Sequence, residues 1–424
     1  MKYDALNDIL SFLRHSPTAF HGAVEIGNRL AQQDYTPLDE TQKWDLKPGG
    51  TYFTYRGGSL CAFTLPKKPP KKATILASHT DSPALKLKPS PIFIDEGLPF
   101  LRVETYGSPI LSTWMNRDLC IAGRLLISEK DQIKEELIFL DHTPVIIPSL
   151  AIHLDRETND KPKKIDKQHH LCPLFGTYDK NYSKEKLFKE LIGVSKSNLL
   201  GADLYLVPQE GPTLIGMKRD LLCSYRIDNL ASAHASLLAL LDAKKCPEDT
   251  LQMAIFWNHE EVGSSTDEGA ASPFFIDTLK RISLSYQMNE EDFLRMKQSS
   301  QAISIDMAHA YHPGYKAKYD KENAPKIGEG IVIKHNANHR YATTGLSSAK
   351  IVKLCKSHKI PCQAFASESN LPCGSTVGAI AASLTGIETV DIGLAQLSMH
   401  ASREMISAKD HLTLCKLLKT ILEN

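Results

Sequence analysis

The sequence has no excess of charge of either sign and no long apolar run. Its 424 residues include 50 Lys and Arg against 49 Asp and Glu, a formal net charge of +1. This balance gives no reason to expect nucleic acid or an anionic membrane as a partner. No stretch approaches the roughly 20 apolar residues of a membrane span, and none near the start has signal-peptide length. We therefore expect neither a membrane segment nor a secretory signal.

Cysteine is present but lacks the pairing patterns of disulfide-rich or cysteine-zinc domains. The nine cysteines are an odd number, spread from Cys61 to Cys415, and no Cys-x-x-Cys pair occurs. This argues against a disulfide framework and predicts reduced thiols in a cytoplasm. Other enzyme motifs are missing too: there is no Gly-x-Ser-x-Gly and no Gly-x-x-x-x-Gly-Lys. The stretch from His259 has Gly263 where the motif His-Glu-x-x-His needs its second histidine.

What is present fits a large globular protein in two parts. Hydrophobic residues make up 42% and charged residues 23% of the chain, an ordinary composition, and 424 residues exceed one compact core. Residues 91–222 hold short β-like runs such as Leu101–Tyr106, with many turns and prolines. We predict an α/β fold, in which a central sheet flanked by helices is built from residues 1–90 and 223–424. Residues 91–222 would form an inserted β-rich domain.

Four short apolar runs lead toward ionisable residues, as buried strands do when they carry a site at one sheet edge. In open α/β sheets, ligands bind beyond the carboxyl ends of the strands. We therefore expect these segments to deliver their polar residues to one crevice. They are Ala73–Ala77 before His79 and Asp81, Leu251–Trp257 before Glu260 and Glu261, Ala302–Ile305 before Asp306, and Thr389–Ile392 ahead of His400.

Local patterns predict the elements between these runs. Gly57-Gly58 separates two β-like runs and indicates a hairpin. Leucines on one face predict a helix over Leu230–Leu241, with Asp228 near its N-cap position. A second helix is predicted over Ser347–His358.

His79-x-Asp81 and Glu260-Glu261 contain the residue types that a zinc site uses. Zinc takes nitrogen and oxygen ligands at about 2.0–2.2 Å, and a two-metal site needs a carboxylate bridging ions roughly 3.5–4 Å apart. Residues two apart on a strand point the same way, so Asp81 can hydrogen-bond the free ring nitrogen of His79. Of the two glutamates, one can hold metal while the other faces a water. Each motif alone is more often structural or solvated, but their joint placement at strand ends favours a metal site.

A series of motifs resembles the aspartyl aminopeptidase family of metallopeptidases, and their order spans nearly the whole chain. The stretch from about 155 to 200 matches least. The motifs are Ser16-Pro17-Thr18-Ala19-Phe20-His21, Ser78-His79-Thr80-Asp81-Ser82-Pro83, Thr113-Trp114-Met115-Asn116-Arg117-Asp118-Leu119, Arg226-Ile227-Asp228-Asn229-Leu230-Ala231-Ser232, His259-Glu260-Glu261-Val262-Gly263-Ser264, Asp306-Met307-Ala308-His309-Ala310, Pro372-Cys373-Gly374-Ser375-Thr376 and Ser398-Met399-His400-Ala401-Ser402-Arg403-Glu404.

The resemblance implies a site, a fold and an assembly. It implies two zinc ions per subunit, with manganese or cobalt as other metals that this ligand set accepts. It assigns Glu260 as general base and Asp81 as support for His79. It implies a metallopeptidase domain with an inserted dimerisation domain, and a homo-oligomer of twelve subunits built from dimers. The implied metal ligands are His79, Asp228 (bridging), Glu261, Asp306 and His400, and the implied substrate contacts are His153 from a neighbouring subunit, His309, Lys334 and Tyr341.

Some positions depart from the family pattern, and some residues have plainer interpretations. Asn116, Gly314 and Leu371 stand where the family has other residues, which affects substrate preference and loop geometry. His309 could instead hydrogen-bond a carbonyl in the core. Lys334 ends an apolar run and could instead be an edge lysine that reaches solvent.

The function that follows is removal of the N-terminal residue from peptides, with water activated by two zinc ions and Glu260 as the base. A preference for acidic first residues (Asp, Glu) follows if Lys334 lines the specificity pocket. A broader or neutral preference, a di-zinc carboxypeptidase or deacylase, and a non-catalytic oligomeric scaffold are the alternatives. A requirement for a free amino terminus separates an aminopeptidase from the other enzymes.

Overall fold

The computed structural model describes residues 5–161, 164–177, 183–195, 197–243 and 245–424. Contacts divide the chain into two compact units. The first contains residues up to Ser82 together with 212–399 and 404–424, and the second contains 83–211 and 400–403. Within the described residues the strands are β1 (Thr36–Leu38), β2 (Thr51–Arg56), β3 (Ser59–Thr64), β4 (Lys72–His79), β5 (Ala84–Asp95), β6 (Leu98–Tyr106), β7 (Leu119–Glu129), β8 (Gln132–Val145), β9 (Leu199–Pro208), β10 (Thr213–Ile215), β11 (Leu221–Ser224), β12 (Thr250–Trp257), β13 (Gln301–Ile305), β14 (Ala308–His309), β15 (Ile331–Lys334), β16 (Cys362–Phe365), β17 (Glu388–Gly393), β18 (Ala395–Leu397) and β19 (Glu404–Ser407).

Among the described residues, helices alternate with these strands in the first unit, and one helix lies in the second. They are α1 (Ala5–His15), α2 (Ala19–Ala31), α3 (Lys184–Ile192), α4 (Ile227–Asp242), α5 (Phe274–Ser285), α6 (Glu290–Gln298), α7 (Gly345–Ser357), α8 (Val377–Thr385) and α9 (Ala408–Glu423). The predicted helix over Ser347–His358 is confirmed as α7, which begins with a capping box on Thr344. Across the described residues, no helix is both long and apolar enough to cross a membrane.

The centre of the first unit is a nine-stranded sheet in the order β1-β2-β3-β12-β4-β13-β17-β15-β16. The hairpin predicted at Gly57-Gly58 is confirmed as the antiparallel pair β2–β3. Its middle strands β12, β4, β13 and β17 run parallel to one another. They are buried on both faces, which is why they appear in the sequence as nearly continuous apolar runs.

Helices cover this sheet with apolar faces. α4 and α9 pack together, and leucines of both helices join one core cluster with α1 and the sheet. A second cluster on other parts of the sheet includes Phe274 and Leu279 of α5. A smaller five-stranded sheet, ordered β10-β11-β19-β18-β14, completes the first unit. The α/β fold predicted from the sequence is therefore confirmed.

The second unit is built on a five-stranded antiparallel sheet in the order β6-β5-β9-β7-β8. It begins at Pro83 and ends at Gly211, whereas the sequence placed the insert at 91–222. The difference has a physical origin at both ends. β5 starts at Ala84 and pairs with β6, while β10 pairs with β11, which in turn pairs with β19 of the first unit.

Candidate metal centre

Three neighbouring parallel strands end beside the ionisable residues that the sequence marks. His79 is the last residue of β4, Asp306 follows β13 directly, and Glu260 lies in a short turn three residues after β12. Because β12, β4 and β13 are adjacent and parallel, their carboxyl ends meet at one edge of the sheet. The expectation that separate segments deliver these residues to one place is confirmed for these three strands.

His79 is at the centre of the resulting cluster and is 1% exposed. Its Nε2 lies 3.5 Å from Oδ1 of Asp228 and 3.6 Å from Oδ1 of Asp306, while its Nδ1 lies 3.3 Å from Oδ1 of Asp81. Burial alone would lower the pKa of His79, but hydrogen bonding to Asp228, Asp306 and Asp81 raises the pKa well above its ordinary value. The carboxylates therefore attract positive charge to Nε2, which a metal ion supplies when that nitrogen is deprotonated.

Asp228 is positioned by the irregular start of α4. Its backbone N–H donates to Oε2 of Glu404 at 3.0 Å, and its carbonyl accepts from the Ser82 hydroxyl at 2.6 Å. The N-cap residue is Arg226, in a left-handed conformation with φ 66°, and Asp228 has the non-helical angles φ −81° and ψ 103°. The sequence placed Asp228 near the N-cap, but the distorted first turn was not predicted.

Asp81 connects His79 to the turn that carries both glutamates. Its Oδ1 accepts the backbone N–H of Glu260 at 3.1 Å, and its Oδ2 accepts the backbone N–H of Glu261 at 3.0 Å. The turn is bounded by left-handed residues, His259 at φ 64° and Gly263 at φ 96°. A Cβ disfavours the left-handed conformation, so glycine suits the second of these positions.

Glu260 has the environment of a base with raised proton affinity. Burial raises the pKa of Glu260 to about 8, His79 opposes the shift, and the charges of Asp306, Asp81 and Asp228 add to it. A metal ion beside these carboxylates would offset their repulsion and lower the pKa of Glu260. Such a carboxylate can take a proton from water and give it up again near neutral pH.

Lys334 is buried beside Asp306 and is 1% exposed. Its Nζ lies 3.4 Å from Oδ2 of Asp306, donates to the carbonyl of Met307 at 3.0 Å, and lies 4.9 Å from the ring centroid of Tyr341. The alternative of an edge lysine reaching solvent is wrong, because the ammonium group has a buried carboxylate partner. Burial also raises the pKa of the Tyr341 hydroxyl, so this ring stays neutral.

The donor atoms of this cluster fit a metal ion such as zinc. One nitrogen or oxygen from each of His79, Asp228 and Asp306 lies within 4.8 Å of the others, and the same holds for His79, Glu260 and Glu261. Imidazole nitrogen and carboxylate oxygen are the ligands that zinc takes in catalytic sites. The second ring nitrogen of His79 faces a carboxylate, as in metal-bound histidines generally.

The remaining predicted residues are carried by other segments of the chain. His153 is in a single turn of 3-10 helix, Ile152–Leu154, of the second unit and is exposed. His400 belongs to the segment 400–403 of that unit, and its Nδ1 lies 3.2 Å from the carbonyl oxygen of Ser108. His309 is exposed at the end of β14, with its ring centroid 6.0 Å from that of Phe365. The roles of all three stay predictions.

Sequence reasoning missed two buried residues that support the cluster. Glu404 is buried and accepts the backbone N–H of Asp228, and Arg226 is buried and donates to the carbonyl of Thr80. Arg226 opens the motif Arg226–Ser232, and Glu404 closes the motif Ser398–Glu404. A charged residue close in sequence to a proposed ligand could have indicated such a supporting role. No spacing rule, however, predicts which backbone group that residue hydrogen-bonds.

An α/β sheet with imidazole and carboxylates at the ends of its parallel strands defines a metallohydrolase architecture. The model of the family described as aminopeptidase I zinc metalloprotease (M18) matches residues 12–421. The chain therefore belongs to the M18 family of zinc aminopeptidases, and it is a zinc-dependent peptide hydrolase of that class.

Individual relatives agree with this assignment over the full chain. A probable M18 family aminopeptidase 2 from Streptomyces avermitilis is 36% identical and covers 98% of this chain and 97% of its own length. A probable aspartyl aminopeptidase from Ricinus communis is 34% identical, with 95% and 92% covered.

Solved structures agree as well. A cryo-EM structure of an Ape4 and Nbr1 complex matches with a TM-score of 0.95 at 31% identity, covering 99% of this chain and 85% of that one. The dodecamer of mApe1 from S. cerevesiae matches with a TM-score of 0.85 at 27% identity, covering 98% and 96%.

Proposed function

We propose that this aminopeptidase holds two zinc ions with His79, Asp228, Glu261, Asp306 and His400, of which Asp228 bridges the ions. The proposal rests on the proximity of His79 and Asp306, at the ends of parallel strands, to Asp228 at the start of α4, with Glu260 beside His79. His400 is added because it lies in a motif shared with the family. Manganese or cobalt would also suit these nitrogen and oxygen donors.

Zinc at this site would polarise the scissile carbonyl and make a water molecule more acidic. Glu260 then acts as the general base: its carboxylate takes the proton from the attacking water and returns it to the leaving amine. Asp81 orients His79 through Nδ1 and fixes the glutamate turn through two backbone N–H groups. We assign His153 to the developing oxyanion, as a donor from a neighbouring subunit.

We further propose a homo-oligomer, and by analogy with the yeast dodecamer an assembly of twelve subunits built from dimers. His153 lies among exposed apolar residues of the second unit, Leu150, Ile152 and Leu154. Exposed apolar side chains grouped in this way are typical of protein interfaces. The second unit would then be the dimerisation domain and would bring His153 to a partner's site.

We propose that acidic first residues are preferred, with a broader or neutral preference as the alternative. A relative of this chain is named an aspartyl aminopeptidase, and Lys334 places a cation beside Asp306. A substrate carboxylate near this ammonium would gain a charge-assisted hydrogen bond. His309 and Tyr341 are the other proposed substrate contacts.

We also propose a cytoplasmic location. All nine cysteines are free, and Cys61 and Cys355 are among those that are buried. Thiols that form no disulfide persist in a reducing compartment.

A panel of short chromogenic peptides tests the proposed function. We expect hydrolysis of free aspartyl and glutamyl substrates, none of the same peptides with acetylated amino termini, and loss of turnover after chelation. Equal turnover of acetylated and free peptides would favour a carboxypeptidase or deacylase instead. No turnover of any peptide by zinc-loaded enzyme would favour a non-catalytic scaffold.

A further inference from the structure

A second group of metal-binding side chains lies between α4 and α9, both in the first unit. It consists of His234 on α4 and of His411 and Cys415 on α9, whose donor atoms all lie within 4.8 Å of one another. His411 and Cys415 are four residues apart and therefore share one helix face. Both imidazoles are fully buried.

The distances in this group match those between ligands of one tetrahedral ion. Nδ1 of His234 lies 3.0 Å from Nε2 of His411, and Sγ of Cys415 lies 3.7 Å from the same Nε2. Zinc bonds of about 2.0–2.1 Å to nitrogen and 2.3 Å to sulfur place tetrahedral ligands roughly 3.3 Å (N···N) and 3.6 Å (N···S) apart. Two of the three donor pairs are thus close to the spacing that one ion requires, and the third pair lies within 4.8 Å.

The far side of His234 has the partner that metal-bound histidines use. Its Nε2 lies 2.8 Å from Oδ2 of Asp8, whose other oxygen pairs with Arg29 at 2.8 Å. This carboxylate fixes the tautomer with the proton on Nε2 and leaves the lone pair of Nδ1 directed at His411. Asp8 also lines an open cavity of about 600 Å³.

A purely structural hydrogen bond between the two imidazoles satisfies the group incompletely. Within the part of the chain that the structure describes, Nδ1 of His411 is buried and has no hydrogen-bond partner. Burying an unpaired nitrogen destabilises the folded protein by about as much as the single hydrogen bond between the imidazoles stabilises it. Coordination of a metal ion by the group would contribute far more free energy of folding than that hydrogen bond does.

We propose that His234, His411 and Cys415 form a zinc site separate from the catalytic centre, with Asp8 hydrogen-bonded to His234. Binding releases the thiol proton of Cys415 to solvent and moves the proton of His411 from Nε2 to Nδ1. Three protein ligands leave the fourth tetrahedral position to a water, since Cys415 is partly exposed. The ion would clamp α4, which carries Asp228, to the C-terminal helix.

Cobalt distinguishes this site from the catalytic one, because only this site offers sulfur. The purified oligomer is stripped of zinc by a chelator and titrated with cobalt alone, and the near-ultraviolet thiolate-to-cobalt charge-transfer band is recorded. We expect the band in the wild type and its loss in Cys415→Ser. The matched control Cys246→Ser changes another partly buried cysteine and should keep the band. His79→Ala should keep it too, whatever happens to catalytic metal.

Zinc content gives a second readout on enzyme purified without stripping. Cys415→Ser should contain one zinc fewer per chain than both the wild type and Cys246→Ser, with unchanged circular dichroism. Two results would overturn the proposal. One is a charge-transfer band that survives in Cys415→Ser. The other is a wild type that binds cobalt without this band, together with full zinc content in Cys415→Ser. Because neither readout uses peptide hydrolysis, the result is independent of the proposed catalytic mechanism.

Discussion

Asp81 contacts three other residues of the catalytic cluster, so replacing it should weaken zinc binding. Asp81→Asn keeps the shape but leaves one carbonyl oxygen where two carboxylate oxygens accept the backbone N–H groups of Glu260 and Glu261. We expect zinc affinity to fall about 10- to 100-fold, the usual cost of losing a partner behind a metal ligand. Competition with a chromogenic chelator measures this. The control Asp39→Asn, at an exposed carboxylate that accepts the N–H of Thr41, should leave the affinity unchanged; an equal affinity in both variants would refute the role of Asp81.

Lys334 tests the origin of substrate preference. If its ammonium contacts the substrate, Lys334→Met should lower kcat/KM for aspartyl and glutamyl peptides about 10- to 100-fold more than for alanyl peptides, as expected for a charged hydrogen bond. The alternative is that Lys334 acts only through its salt bridge to Asp306 and does not contact the substrate. Equal losses over the panel, accompanied by lower zinc content, would make Lys334 a positioning residue for Asp306 only.

The residues of the cluster differ in how far the sequence could predict them. His79 and Asp306 were found because an apolar strand runs directly into each of them. The contacts of Lys334 could not be predicted, because an apolar run that ends in lysine is compatible with either a buried or an exposed side chain. Asp228 was placed near a helix start, but the distorted turn that presents it depends on tertiary contacts with Ser82 and Glu404.

At the scale of elements, α2 carries a histidine that should make stability depend on pH. Burial, together with the charge of Arg226, lowers the pKa of His21 from 6.5 to about 4. The unfolded chain therefore binds the proton more readily than the folded one between these values. Stability is complete above about pH 6.5 and falls as the pH drops toward 4, by roughly 3 kcal/mol at most from this group.

Replacing the histidine isolates this contribution. His21→Asn keeps a polar group near the Thr18 hydroxyl, which lies 2.8 Å from Nδ1 of His21. In metal-free protein, urea denaturation should show a smaller loss of stability between pH 7 and pH 5 for His21→Asn than for the wild type. His15→Asn changes an exposed histidine and should follow the wild type. Parallel curves for all three proteins would contradict the buried, neutral state of His21.

The elements themselves were largely predictable because their signals are local. The hairpin at Gly57-Gly58, the four parallel strands and α7 follow from turn chemistry and apolar periodicity. The order of the strands in the sheet was not predictable. β12 lies between β3 and β4, although some 170 residues separate β12 from these two strands in the sequence. Pairing over such a distance is decided by packing and leaves no local pattern.

At the scale of the whole molecule, His153 decides whether one subunit makes a complete site. If His153 serves a partner's site across a two-fold contact, a mixed dimer of Glu260→Gln and His153→Ala subunits has one site with both defects and one with neither. Dissociating and reassembling the two inactive variants together should then restore activity at about half of the heterodimer sites. Each variant reassembled alone is the control. Verified hybrids that stay inactive would place His153 within its own subunit or outside the mechanism.

The assembly of subunits could be predicted least from sequence patterns alone. The apolar side chains around His153 lie within only five residues, 150–154, and nothing in their spacing marks them as exposed before the fold is known. The expectation of a dimerisation domain came from the family resemblance and not from periodicity. Sedimentation analysis of the wild type against Leu154→Asp, at a residue that is 74% exposed, would show whether this surface holds subunits together.

The most direct test of the account combines zinc content with turnover in four variants. Glu260→Gln should keep the zinc content of the wild type and lose nearly all turnover of aspartyl and glutamyl substrates, because Glu260 moves a proton and does not hold metal. His79→Ala, Asp228→Ala and His400→Ala should each contain less zinc than the wild type. Loss of zinc in Glu260→Gln, or wild-type zinc content in all three of the others, would contradict the assignment of ligands and base.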